Sequence, residues 1–69
     1  MTIDEMKRSS KRFLIPAEIA EVLESDPQTI RLTARETPEL IGYKFTFSGS
    51  HMKIPRVPFL RWLEEDLDD

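Results

Sequence analysis

Three side chains at helical spacing offer the clearest chemistry in this sequence. Gln28, Arg31 and Arg35 follow one another at intervals of three and four residues, so an α-helix presents them on one face. A guanidinium group can donate two parallel hydrogen bonds to guanine O6 and N7, and a glutamine amide matches adenine N6 and N7. We interpret this face as a candidate surface for contacting double-stranded DNA. The alternative is ordinary intrahelical pairing, of Arg35 with Glu39 or of Arg31 with Asp26.

Leu32 lies on the exposed face of the same predicted helix. With Ile30 at the centre of the buried face and about 100° of rotation per residue, the exposed arc contains Gln28, Arg31, Leu32 and Arg35. An exposed leucine can touch a thymine methyl group or a neighbouring copy of the chain. It can equally fold down onto the core, and the sequence leaves these alternatives open.

Two short helices joined by a tight turn would position this face. The first is predicted over residues 16–24, where Ile19 and Leu23 share an apolar stripe and Glu18 and Glu21 face water. In the second, Asp26 is the predicted N-cap before Pro27. This helix should end at residue 37, because a residue that precedes a proline avoids the α conformation.

A β-hairpin and a last helix follow. Aromatic and polar side chains alternate over residues 43–47, and residues 52–54 alternate again, so each stretch predicts a strand with one buried face. Residues 48–51 form the connecting turn. The last helix is predicted over residues 57–67, with inward-facing Phe59, Leu60, Leu63 and Leu67. Aromatic side chains at these spacings indicate a core.

The charge is distributed unevenly along the chain. The net charge of −3 argues against a nucleic-acid ligand, yet residues 27–61 contain six bases and only two acids, and a local basic field steers DNA. Residues 1–11 lack an apolar period and predict a mobile basic arm. The candidate phosphate contacts of this arm are Lys7, Arg8 and Lys11, together with Arg12, which follows it directly.

Composition excludes several other classes of site. The 69-residue chain has no cysteine and one histidine, so neither a disulfide nor a structural zinc site is expected. No apolar run approaches the roughly 18–20 residues of a membrane span. No nucleophile–base pair or cofactor loop is present, so we expect no enzyme activity, no metal, no cofactor, no small-molecule substrate and no membrane partner. These features predict a cytoplasmic protein.

The order of these elements resembles the winged helix-turn-helix excisionase family of phages and conjugative transposons, a relative of MerR-type DNA-binding domains. The matching stretches are residues 16–23 (PAEIAEVL), 27–31 (PQTIR), 53–56 (KIPR) and 59–63 (FLRWL). The resemblance covers about residues 12–63. It implies an α+β fold with two N-terminal helices, a two-stranded hairpin called the wing, and a C-terminal helix over residues 12–67, followed by an acidic tail end at 68–69.

The family resemblance also implies a function and a set of site residues. Excisionases bind and bend attachment-site DNA, with several copies side by side, and favour excision of a mobile element by a tyrosine or serine integrase. The recognition helix would contribute Gln28, Arg31, Leu32 and Arg35. The wing would contribute Lys44, Ser48, Ser50, His51 and Lys53, of which the lysines are the better phosphate candidates because their charge does not depend on pH near neutrality. The family commonly has glycine where this chain has Glu24, and a left-handed glutamate would cost about 1–2 kcal/mol.

Two other functions fit the same sequence. A small transcriptional regulator of the MerR-like or AlpA-like kind would share the fold, and genomic position beside an integrase would separate it from an excisionase. In the second alternative, the acidic first helix and tail would form a protein-binding module that docks on a recombinase or repressor. In that case DNA contact would be secondary.

Overall fold

The computed structural model describes residues 1–65, which form four helices and a three-stranded antiparallel sheet. The elements in chain order are α1 (Ile3–Arg8), β1 (Phe13–Leu14), α2 (Pro16–Leu23), α3 (Pro27–Glu36), a 3₁₀ turn (Pro38–Leu40), β2 (Thr46–Ser48), β3 (His51–Pro55) and α4 (Arg56–Glu65). The predicted α+β class is confirmed. The expectations for Leu67 and for the acidic residues 66–69 lie outside the described residues.

The sheet has β3 at its centre, with strand order β1-β3-β2. Leu14 of β1 pairs with Ile54, and Phe47 of β2 pairs with Met52. The predicted sheet of two strands is therefore incomplete. The β2–β3 hairpin is present, and β1 adds a third strand from an extended segment near the N-terminus. β3 contacts both neighbours, so it ties the beginning of the chain to the hairpin.

The hairpin turn is shorter than predicted. Ser48 and His51 were expected in the turn, but they face each other as the last pair of the ladder, which leaves only Gly49 and Ser50 between the strands. Gly49 has φ 64° and Ser50 is not left-handed, the pattern of a type II′ turn with glycine at its first central position. β2 is also shorter than expected and begins at Thr46.

The core lies between the inner face of β3 and the helices. Met52 and Ile54 point inward from β3, and the largest fully buried side chains beside them are Phe59, Met6, Leu14 and Ile19. Ile30 and Ala34 form the buried side of α3, as the helical period predicted. Tyr43 packs edge-on against Phe59, with ring centroids 5.1 Å apart.

The connection between α2 and α3 depends on two local conformations. Helix α2 ends at Leu23, one residue earlier than predicted, because Glu24 is left-handed with φ 54° and ψ 42°. Asp26 then caps α3, since its carboxylate accepts a hydrogen bond of 2.8 Å from the Gln28 amide. The predicted N-cap is confirmed, and the sequence places a strained glutamate where glycine would be relaxed.

The N-terminal residues are ordered into the fold, which corrects the expectation of a mobile arm over residues 1–11. Thr2 and Glu5 form a capping box at the start of α1, and the Met6 side chain is 0% exposed within the core. The Arg56 guanidinium donates to the carbonyl oxygens of Met6 and Lys11, at 3.1 and 2.8 Å. The Arg56 amide also donates to the Arg12 carbonyl at 3.0 Å.

Helix α4 begins at Arg56, one residue before its predicted start. Phe59 and Leu60 are buried, in agreement with the predicted inward face. Trp62 is half-buried. Gly42 lets the chain pass close to the Trp62 indole, because a Cβ there would lie 2.7 Å from the indole nitrogen. Over residues 1–65, no helix has the length and apolar character needed to cross a lipid bilayer.

Replacing Met6 by alanine should lower the free energy of unfolding by about 2–5 kcal/mol, because it removes a fully buried side chain and leaves a cavity. Urea denaturation followed by circular dichroism would measure this change. Ile3→Ala is the matched control, since Ile3 belongs to the same helix but is 41% exposed, and its effect should be much smaller. Equal and negligible effects of both substitutions would contradict the docking of α1.

Candidate nucleic-acid interface

The exposed face of α3 contains the four residues that the helical period assigned to it. Gln28, Leu32 and Arg35 are exposed, and Arg31 is half-buried. Leu32 is 55% exposed, so it does not fold down onto the core. This apolar side chain is therefore available for contact with a ligand or a second molecule.

Arg31 is oriented along α3 by Gln28. Its Nη1 donates to Gln28 Oε1 at 2.7 Å, and no ion pair with Asp26 is present in the described part of the chain. Arg31 also lines a cleft of about 260 Å³ between the helices and the hairpin. The residues that line this cleft are Ile15, Pro16, Arg31, His51, Met52 and Lys53.

Arg35 contacts the hairpin rather than Glu39. Its Nη2 donates to the Ser50 carbonyl oxygen at 3.3 Å, and its Cζ lies 5.3 Å from the centroid of the Phe47 ring. The intrahelical pair of Arg35 with Glu39 is absent among the ion pairs of residues 1–65. The two arginines of α3 thus reach the same side of the molecule as the hairpin.

The alternation of β3 determines which hairpin residues are exposed. His51 and Lys53 point outward while Met52 and Ile54 point inward, because successive side chains of a strand leave opposite faces. Ser48 and Ser50 are also exposed. These predicted wing residues surround the hairpin tip and lie next to the arginines of α3.

Lys44 does not join this surface. It precedes β2 and lines a separate cleft of about 210 Å³, which it shares with Arg61 and Trp62 of α4. The expectation that Lys44 adjoins the hairpin tip is therefore wrong, because β2 begins two residues after it.

The four basic residues of the predicted arm are divided between two situations. Lys7 forms an ion pair with Glu64 at 2.7 Å, and Lys11 forms one with Glu18 at 2.8 Å. The Glu64 carboxylate, which accepts from the Lys7 ammonium, raises the pKa of Lys7. Arg8 and Arg12 are exposed and make no ion pair within the described residues. These two arginines are thus exposed, but on an ordered segment rather than on the predicted mobile arm.

Glu18 is not the water-facing acid that the sequence predicted. Its side chain is 16% exposed and accepts hydrogen bonds from Lys11 Nζ and from the Ile15 amide, the latter at 3.1 Å. Burial by itself raises the pKa of Glu18, but the hydrogen bonds and the Lys11 charge outweigh burial and leave the pKa below its ordinary value. This carboxylate therefore stabilises the start of α2.

Phe13 is a part of this surface that the sequence did not predict. Its ring is 38% exposed and lies 5.9 Å from the Lys53 Nζ. Leu14 is the buried residue of β1, whereas Phe13 and Ile15 are exposed. The only signal was a run of three consecutive apolar residues at 13–15, and such a run does not reveal which of them face the core.

Comparison of the chain with protein-family models, curated proteins and solved structures gives no match. The described residues contain no group of histidine, cysteine, aspartate or glutamate side chains that could bind a metal ion. What the chain binds is therefore inferred from the arrangement of α3 and the hairpin.

The pairing of Glu18 predicts a pH dependence. Because the folded-state pKa is lowered, this carboxylate contributes stability above its ordinary pKa, and the contribution is lost as the pH falls through the folded-state value. In Lys11→Gln, burial would act with less opposition and the pKa of Glu18 should rise. A ¹³C NMR titration of the carboxyl groups measures this, with Lys7→Gln as the control. An unchanged pKa in Lys11→Gln would contradict the assignment.

Proposed function

We propose that the chain binds double-stranded DNA in the manner of a winged helix-turn-helix protein. Helix α3 would enter the major groove, and the β2–β3 hairpin would lie against the adjacent backbone or minor groove. The observation that carries this proposal is the convergence of Arg31 and Arg35 with the exposed His51 and Lys53 on one surface.

The dimensions and donors of this surface suit DNA. Helix α3 has ten residues and is about 15 Å long. The major groove is about 12 Å wide and can admit an α-helix. Arg31 uses one donor on Gln28, and a guanidinium has five, so donors remain for guanine or phosphate. The Gln28 contact restricts the Arg31 side chain before binding, which lowers the entropy lost when it engages a base.

Several acidic residues are paired or turned away from the arginines of α3. At about 100° per residue, Glu36 lies about 100–140° around α3 from Arg35 and Arg31, beside Leu32, Thr29 and Thr33. Glu18 and Glu64 are both neutralised by lysines. The net charge of −3 therefore does not describe the field in front of α3.

These ion pairs also weaken the alternative of an acidic protein-binding module. A carboxylate that already has a lysine partner must give up that partner before it can dock on a basic protein. Glu18 would lose two hydrogen bonds from Lys11, of 2.8 and 2.9 Å, in addition to its amide contact. The DNA-binding proposal requires no such rearrangement.

The specific role that we propose is that of an excisionase. The support is the resemblance of residues 12–63 to that family, and the role is to bind and bend attachment-site DNA beside an integrase, with several copies bound side by side. An excision assay with the integrase encoded nearest the gene tests this role. Site-specific DNA binding without any effect on excision would instead indicate a small transcriptional regulator.

Substitutions on α3 and on the hairpin should affect DNA binding differently. Arg31→Ala should cost about 1–3 kcal/mol of binding free energy for the preferred site and relax sequence choice, because a bidentate base contact is lost. Lys53→Ala should weaken binding to all sequences alike and reduce the salt slope by about one, because a phosphate contact is lost. Fluorescence anisotropy at several salt concentrations measures both effects, using a site selected from a random pool.

Arg61→Ala is the matched control, since it removes the same charge from an exposed position on α4. Its affinity should stay close to that of the wild type. Absence of binding by the folded wild type at about 50 mM salt, where non-specific contacts are strong, would overturn the proposal. Equal effects of Arg31→Ala and Lys53→Ala on every sequence would overturn the assignment of their separate roles.

A further inference from the structure

The two contacts of Arg35 span the gap between the last turn of α3 and the tip of the hairpin. The hydrogen bond to the Ser50 carbonyl joins residues 15 positions apart in sequence. The ring of Phe47, on the edge strand β2, lies beneath the same guanidinium. One side chain therefore contacts both the turn and the strand that leads into it.

The Ser50 carbonyl has no donor within the sheet. Because Ser48 pairs with His51, Gly49 and Ser50 are the central residues of a two-residue turn, and their backbone groups lie outside the ladder. Arg35 supplies a donor to this carbonyl. The turn is thereby attached to α3 at its exposed end, where a short hairpin is otherwise least constrained.

Phe47 offers Arg35 a fixed aromatic face. The ring packs edge-on against Phe45, with centroids 6.0 Å apart and planes at 87°. A planar guanidinium stacks on such a face, whereas a lysine ammonium is a compact point charge that does not. Both of these partners are uncharged, and within residues 1–65 the positive charge of Arg35 has no acidic partner beside the proposed DNA surface.

We propose that Arg35 is a positioning residue, which holds the β2–β3 hairpin against α3. It thereby sets the distance between Arg31 and the hairpin side chains of His51 and Lys53. Sequence reasoning had predicted that Arg35 reads bases. In the arrangement proposed here it acts on DNA binding through the hairpin. This inference depends on the proposed function only for its effect on DNA, because the attachment itself exists in the free protein.

The attachment can be tested in the free protein with Arg35→Lys, which keeps the charge and removes the planar guanidinium. Backbone ¹⁵N relaxation of Gly49, Ser50 and His51 would be measured without DNA. We expect order parameters near those of rigid backbone, about 0.85, in the wild type and values below about 0.6 in the variant. Phe47→Leu should lower the same order parameters by a smaller amount, because the hydrogen bond from Arg35 to the Ser50 carbonyl is retained.

Arg61→Lys is the matched control, because it makes the same chemical change on α4 and should leave the hairpin order parameters at the wild-type value. Order parameters of residues 49–51 that are equal in Arg35→Lys and the wild type would overturn the proposal. This readout uses no DNA. A failure of the wild type to bind DNA would therefore overturn the proposed function, while the relaxation data decide separately on the positioning role.

DNA binding gives a second, independent readout. Arg35→Lys should weaken binding roughly three- to tenfold, because the loosened hairpin must be ordered on binding, and its salt slope should match the wild type since no charge is lost. The double variant Arg35→Lys/Phe47→Leu should be no weaker than Arg35→Lys alone, because Arg35→Lys already removes the stacking on Phe47. Wild-type affinity in Arg35→Lys, or additive losses in the double variant, would overturn the positioning role.

Discussion

The alternation of β3 constrains the rest of this structure. Its inward side chains, Met52 and Ile54, meet the core, and the same backbone register projects His51 and Lys53 outward. Because side chains alternate with a period of two, a slip of one residue would exchange the two sets. Such a slip would expose Met52 and bury His51 and Lys53. The packing of the core and the charge of the surface are therefore determined by the same register.

Helix α3 is constrained from both of its ends. Asp26 satisfies an amide at its beginning, and the left-handed Glu24 turns the chain sharply enough for α3 to pack across α2. At the other end, Arg35 reaches the hairpin. Burial of Ile30 and Ala34 sets the rotation of the helix, and this rotation directs Arg31 toward the cleft that it shares with β3.

Local signals account for the features that the sequence predicted correctly. Asp26 and Pro27 mark the beginning of α3 by their own conformational preferences, and the alternation around Phe47 and Met52 marks the hairpin. Long-range features left no such signal. Leu14 lies in a two-residue strand whose partner, Ile54, is far along the chain, and Met6 is the single buried residue of a six-residue helix. Too few residues are involved for a periodic pattern to show.

The hydrogen bonds of Arg56 have a consequence for folding during synthesis. Its amide and guanidinium bind the carbonyl groups of Met6, Lys11 and Arg12, up to 50 positions earlier in the chain. At about 5–20 residues per second, α1 therefore waits roughly 3–10 s for its partner to be translated. During that time α1 lacks the contacts that it makes with α4, so the nascent chain leaves this side of its first helix exposed until α4 is made.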